Sequence, residues 1–151
     1  MIIFVPYTEA NIETANSYLD IADADQIISE QSNSDVWIGL DDDSKKMLLI
    51  QSSIAVDGAM MYQGAKTIET QFLKFPRDCS YVLPLQIKFA TAFTALLFSN
   101  NKMFKNVKRE KIAKHEKEYF GDSAKEIDPM VLAYLEPLRA RTVRIKAHNE
   151  Y

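Results

Sequence analysis

The sequence holds a single cysteine, Cys79, so it can form no internal disulfide, which suits a reducing compartment. The residue itself reads as an ordinary half-buried small side chain. Four glycines and five prolines in 151 residues are too few for a β-sandwich with many turns. Only two histidines occur, His115 and His148, both in charged stretches and neither with a cysteine or histidine at metal-ligand spacing. A glycine-rich phosphate loop and a nucleophile elbow are both missing. No apolar run approaches the roughly 20 residues of a membrane span. The apolar opening, Met1 to Pro6, lacks a basic flank and is cut by proline, so it does not read as a signal peptide. These absences exclude the common catalytic constellations. The chain reads as a soluble intracellular product, not an enzyme, with no cofactor, metal site or membrane partner.

What is present is helical composition and a charge gradient. Alanine, leucine, isoleucine, methionine, lysine and glutamate dominate, which favours helix. The net charge of −3 conceals an asymmetry: residues 1–60 carry −9, residues 61–100 carry +2 and residues 101–151 carry +4. Such a gradient can orient subunits head to tail or draw a partner to one end; solvated helix faces are the plainer reading. The basic part is diluted by Glu110, Glu116, Glu118 and Glu126, which makes a poor nucleic-acid footprint.

Periodicity predicts a mostly α fold, a compact bundle of about four helices in one domain over residues 1–138. Thr8 reads as an N-cap, with Ile12, Ala15, Leu19 and Ala22 carrying a first helix as far as Ile28, interrupted near Asp23-Ala24-Asp25. Val36-Trp37-Ile38 reads as a short apolar plug at one end of the core. Asp41, Asp42 and Asp43 cap a second helix over about Lys45–Met61, apolar on most sides and therefore central. Neither aspartate cluster has the glycine and closing glutamate of a calcium loop, so both read as caps. Residues 62–81 form a long irregular loop. Pro84 opens a third helix, apolar nearly all round, which ends at Asn100-Asn101. Residues 102–120 read either as an exposed helix or as an extended hairpin or protruding arm. Asp128-Pro129 starts a last helix limited by Pro137, and residues 139–151 form a basic tail.

The segment Leu73-Lys74-Phe75-Pro76-Arg77-Asp78 stands out within the long loop. Pro76 fixes its own φ and biases Phe75 toward an extended conformation, giving a stiff corner between two buried helices. Phe75 is expected to pin that corner to the core. Arg77 is expected to hydrogen-bond carbonyls or a carboxylate, or alternatively to reach a neighbouring subunit. Trp37, Ile50, Ile54, Pro84, Ile87 and Lys88 are expected to form the core of the motif helices, with Lys88 read as a snorkelling or capping lysine.

The order of these elements carries a resemblance. Ala10-Asn11 and Tyr18-Leu19 precede Trp37; Leu49-Ile50-Gln51 and Ala55-Val56-Asp57 follow; then come Tyr62-Gln63-Gly64, Gln71 to Arg77, and Leu83-Pro84 with Ile87-Lys88 and Ala90. Over about residues 8–100 this succession resembles the head-tail connector or adaptor (head-completion) proteins of tailed phages, some labelled DnaT-like. Asp57-Gly58 departs from the apolar or aromatic pair of that family, and the chain diverges after residue 100.

The resemblance implies a virion structural protein of the phage neck, assembled in the host cytoplasm. It would form a homo-oligomeric, twelve-fold ring under the portal, help close the DNA-filled head and offer a platform to tail, stopper or nozzle proteins. Packaged DNA would pass through without sequence-specific binding. Arg139, Arg141, Arg144 and Lys146 are the candidate portal- or partner-binding residues of the tail. The alternative, drawn from the family label, is a replication accessory protein that binds single-stranded DNA. That activity needs a basic groove interleaved with exposed aromatics.

Overall fold

A computed structural model describes residues 3–100 and 127–141. Five α-helices occur among these residues: α1 (Ile21–Ile28), α2 (Asp35–Ile38), α3 (Asp42–Gly58), α4 (Leu85–Asn100) and α5 (Pro129–Leu135). No strand occurs among them; extended segments make only isolated bridges, Pro6 with Ser17, Tyr62 with Arg139 and Lys66 with Arg77. The molecule is mostly α, as expected. The expected arm over residues 102–120 lies outside the described residues, as do Arg144 and Lys146.

The bundle is organised around α4, which packs against each of the other four helices. Its sequence explains that position. Ile87, Ala90, Thr91, Ala92, Thr94, Ala95, Leu96, Phe98 and Ser99 are all buried, so small residues let neighbours approach on several sides. Several buried hydroxyls are paired locally: Thr91 Oγ1 donates to the Ile87 carbonyl (2.8 Å), and Ser52 and Ser53 on α3 donate to the carbonyls of Leu48 and Leu49 (2.6 and 2.9 Å), whereas the Thr94 hydroxyl finds no partner among the described residues. Phe89 and Phe93 meet Tyr134 of α5 at ring separations of 6.1 and 5.7 Å, which fixes α5 against the first and middle turns of α4.

Three expectations are corrected. The first helix does not start at Thr8. Thr8 does stand at an N-cap, but of a single 3-10 turn over Glu9–Asn11, and α1 begins only at Ile21, capped by Asp20, whose carboxylate accepts the Asp23 N–H at 2.7 Å. Polar side chains between these points offer the backbone other partners. Asn16 accepts from Val5 N–H and donates to the Ile3 carbonyl (2.9 and 2.8 Å), Asn11 donates to Pro6 (2.8 Å), and Ser17 donates to Leu19 (2.7 Å). These local bonds outcompete the helix although Ile12, Ala15 and Leu19 still reach the core. The expected break at residues 23–25 falls inside α1, where Ala24 is buried.

The second correction concerns α3. It is capped by Asp41, which accepts the Ser44 N–H at 3.1 Å, but it is not apolar-buried on most sides. Ile54 is 52% exposed and is not a core residue; Met47 and Met61 are exposed with it, and Ile50 is half-buried. Only α4 is central. Third, Cys79 is exposed rather than half-buried, on a backbone with φ of 65°.

Of the expected plug Val36-Trp37-Ile38, only Trp37 enters the core, with no exposed surface, while Val36 and Ile38 on either side of it in the chain are exposed. The Trp37 Nε1–H donates to Asp25 Oδ1 (2.8 Å), and Lys45 Nζ donates to the same oxygen (3.1 Å) while lying 5.6 Å from the indole centroid. This knot joins α1, α2 and α3 around one carboxylate. Asp128 caps α5 with Pro129 in the first turn, as the sequence predicts; Pro137 falls in a 3-10 turn over Glu136–Leu138.

Candidate functional site

The loop between α3 and α4 is long but firmly structured, and its centre is the Phe75-Pro76-Arg77 corner. Phe75 is buried between two tyrosines, with ring centroids 4.8 Å from Tyr62 and 6.4 Å from Tyr18, both edge-on. Pro76 is buried beside it, and the Phe75–Pro76 peptide is cis. The Arg77 guanidinium lies 5.7 Å from the Phe75 ring centroid and donates to four carbonyls: Gly64 (2.6 Å), Gln63 (2.9 Å), Lys74 (3.0 Å) and Tyr62 (3.4 Å). A planar fork of five N–H groups suits that task in a way an ammonium would not. Arg77 is thus an internal tie, as the first of the two sequence readings holds.

Three further residues complete the corner, none with a role assigned from sequence. Gln71 is buried; its amide donates to the carbonyls of Leu73 (2.9 Å) and Pro76 (3.0 Å), and its oxygen accepts from Ile68 N–H (2.9 Å). Asp78 accepts from Ala65 N–H (3.0 Å) and crowds Gly64, whose φ of +82° and lack of a Cβ permit the approach. Asp57 is the third. It accepts from the Tyr18 hydroxyl and from Lys74 N–H (3.2 Å), while the same hydroxyl accepts from Phe75 N–H (3.1 Å). The departure from the family's apolar pair at Asp57 is therefore the anchor by which α3 holds the corner. A lone carboxylate near a helix end, followed by glycine, was the only sequence signal for it.

Burial pushes the Asp57 carboxyl up to about 6, against the opposing pull of the Tyr18 and Lys74 hydrogen bonds and of the cations Lys74 and Lys66. Burial first, and the Asp57 charge second, raise the phenols of Tyr18 and Tyr62. A rigid, hydrogen-bonded joint results. Among the described residues no group of three or more His, Cys, Asp or Glu is placed to hold a metal ion.

The remaining sequence-marked positions do not gather at this corner. Ile87 is buried on α4, Lys88 is half-buried, and Pro84 accepts the N–H groups of Ile87 and Lys88 at the start of that helix. Trp37 and its knot belong to α2. Arg139 and Ala140 are held to the chain after α3: Ala140 N–H donates to the Met61 carbonyl (2.8 Å), and Arg139 forms an ion pair with Glu136 (2.9 Å). Arg141 is exposed. Among the described residues no helix is long and apolar enough to cross a membrane.

No curated protein and no solved structure matches the chain. A family model described as "Putative DnaT-like ssDNA binding protein" matches residues 8–147. As that match takes in the corner, every described helix and nearly all of the sequence, the chain belongs to this DnaT-like family.

Proposed function

We propose that the protein is a virion structural subunit: a head-tail adaptor that joins a homo-oligomeric ring beneath the portal and presents a platform for tail components. The observation that carries this reading is the distribution of large apolar side chains on the surface. Val36, Ile38, Ile54, Met61, Phe72, Val82, Leu85 and Met130 are each more than 40% exposed. Large apolar side chains left on the surface at several places on the molecule suit a subunit that becomes covered by protein on more than one side. The most diagnostic segment of the sequence, meanwhile, is turned inward, with Phe75 buried and Arg77 bound to the chain's own carbonyls. That inward use suits a framework element, and the reading needs neither a cofactor nor catalysis.

The family description supports a second reading, binding of single-stranded DNA. One structural observation favours it: Phe72 and Tyr81 stand exposed on the same loop as Lys66 and Lys74. Exposed aromatics near cations are what base stacking requires. Those cations have protein partners, however; Lys66 Nζ donates to the Gln71 carbonyl (3.0 Å) and Lys74 Nζ lies 6.0 Å from the Tyr62 ring centroid.

Electron microscopy of the protein mixed with portal rings separates the readings. The adaptor predicts added density under the portal and no salt-dependent oligonucleotide affinity at micromolar protein. Binding to a single-stranded oligonucleotide that weakens steeply with salt, without portal association, would establish the second reading instead.

A further inference from the structure

A subunit that closes a ring through one repeated contact needs two different surfaces placed apart on the molecule. Two such surfaces lie at opposite ends of the α3–α4 pair. The first is the α2 corner. Asn100 Nδ2 donates to the Asn33 carbonyl (3.1 Å), which places this segment at the C-terminal end of α4. Val36 and Ile38 project there with exposures of 43% and 56%, on either side of the fully buried Trp37. Asp35, Asp41, Asp42 and Asp43, all exposed, flank them in the chain. The result is an apolar knob with an acidic rim.

The second surface lies where the chain leaves α5. Gln63 N–H donates to the Leu138 carbonyl (3.0 Å) and Ala140 N–H to Met61, which holds this segment against the chain just after α3. The sixteen residues of α4 span roughly 24 Å, and α3, which starts beside the α2 corner, runs back along it, so the two surfaces are separated by about that length. Ala133, Glu136, Pro137, Arg139 and Arg141 line a shallow open groove there. Arg139 is paired with Glu136; Arg141 has no acidic partner among the described residues.

We infer that the α2 corner of one copy seats in the α5 groove of the next, Val36 and Ile38 against Ala133 and Pro137, with Asp42 and Asp43 facing Arg141. The occupant is a second copy of this chain because the knob and the groove are complementary in both charge and polarity. The inference rests on the ring reading above and names its contact. Knob and groove differ, so every docked pair leaves one of each open, and the contact propagates head to tail.

Sedimentation equilibrium of the full chain, up to about 1 mM, tests this. The mass of the unaltered protein is expected to rise with concentration. Ile38→Glu in the knob and Ala133→Arg in the groove are each expected to weaken association at least tenfold, with the helical circular-dichroism signal retained. Mixed, these two variants are expected to form a one-to-one dimer, since one supplies an intact groove and the other an intact knob. Asp43→Lys and Arg141→Glu are each expected to weaken association alone and to restore it when combined in one chain, which a folding defect would not do. A protein that stays monomeric, or one whose association ignores all four substitutions, overturns the contact. Portal binding separates this result from the parent reading. If Ile38→Glu protein still builds a full ring on the portal, the contact is wrong and the adaptor reading stands. If the unaltered protein self-associates as described but never joins a portal, the adaptor reading fails and the contact stands.

Discussion

Asp57 shows how one side chain ties local chemistry to stability. Its carboxyl sits near 6 in the fold against an ordinary value of 3.8, because burial disfavours the charge more than its hydrogen bonds and the nearby lysines favour it. The folded state therefore binds more protons than the unfolded one between these values. Stability from this group is present below about pH 4 and is lost as pH rises through about 6, a swing on the order of 2–3 kcal/mol. Urea unfolding from pH 4 to pH 7 is expected to show that decline, and Asp57→Asn to flatten it. Arg77 makes a different kind of contribution. Arg77→Ala leaves four carbonyls short of a donor, two of which can turn to water, so a loss of about 2 kcal/mol in chemical denaturation is expected. Arg77→Lys is expected to recover little of it, since an ammonium cannot span the same fork. Phe75→Ala should cost more, about 3–4 kcal/mol, by opening a cavity between Tyr18 and Tyr62.

At the level of elements, the loop between α3 and α4 behaves as a structured unit. Its two limbs are stitched by Thr67 N–H to Pro76, Asp78 N–H to Ala65 and the Thr67 hydroxyl to Ser80 (3.2, 2.8 and 2.7 Å). Gly64 is the hinge of that stitching. A Cβ there would lie 2.2 Å from the Asp78 carboxylate, on a backbone that side chains rarely adopt. Gly64→Ala is expected to lower the thermal midpoint of unfolding by an amount matching about 1–3 kcal/mol, with accelerated amide exchange in residues 62–81. At the other end of the bundle, Asp25 serves both Trp37 and Lys45. Asp25→Ala leaves a buried lysine without its partner; because Asp25 is itself half exposed, the expected cost is about 1–2 kcal/mol rather than that of a fully buried pair.

For the whole molecule, the charge gradient has a structural counterpart. The acid-rich end is the α2 corner and the start of α3; Arg139 and Arg141 lie where the chain leaves α5. Head-to-tail association across these ends is expected to weaken as salt rises from about 0.1 to 1 M, over which the screening length falls from roughly 10 to 3 Å. Velocity sedimentation at the two salt concentrations checks this. An association that strengthens with salt would point to apolar contacts alone.

The sequence by itself determined the helical class, the caps at Asp41 and Asp128-Pro129, the burial of Trp37 and the stiff, core-pinned corner at Phe75-Pro76-Arg77. Each rests on short-range chemistry: periodicity, a cap within three residues, a proline's fixed torsion. Tertiary structure alone decided the rest. Residues 8–20 match a helical pattern, yet Asn11, Asn16 and Ser17 find partners across the turn and hold the chain off the helix. Ile54 and Ile87 are equally apolar in sequence, and only the placement of α4 between its neighbours leaves one exposed and the other buried. Asp57 reads as a surface acid until Tyr18 and the Lys74 amide, both distant in the chain, close over it. Local rules report what a residue offers the fold; which partners accept depends on contacts that no short window of sequence contains.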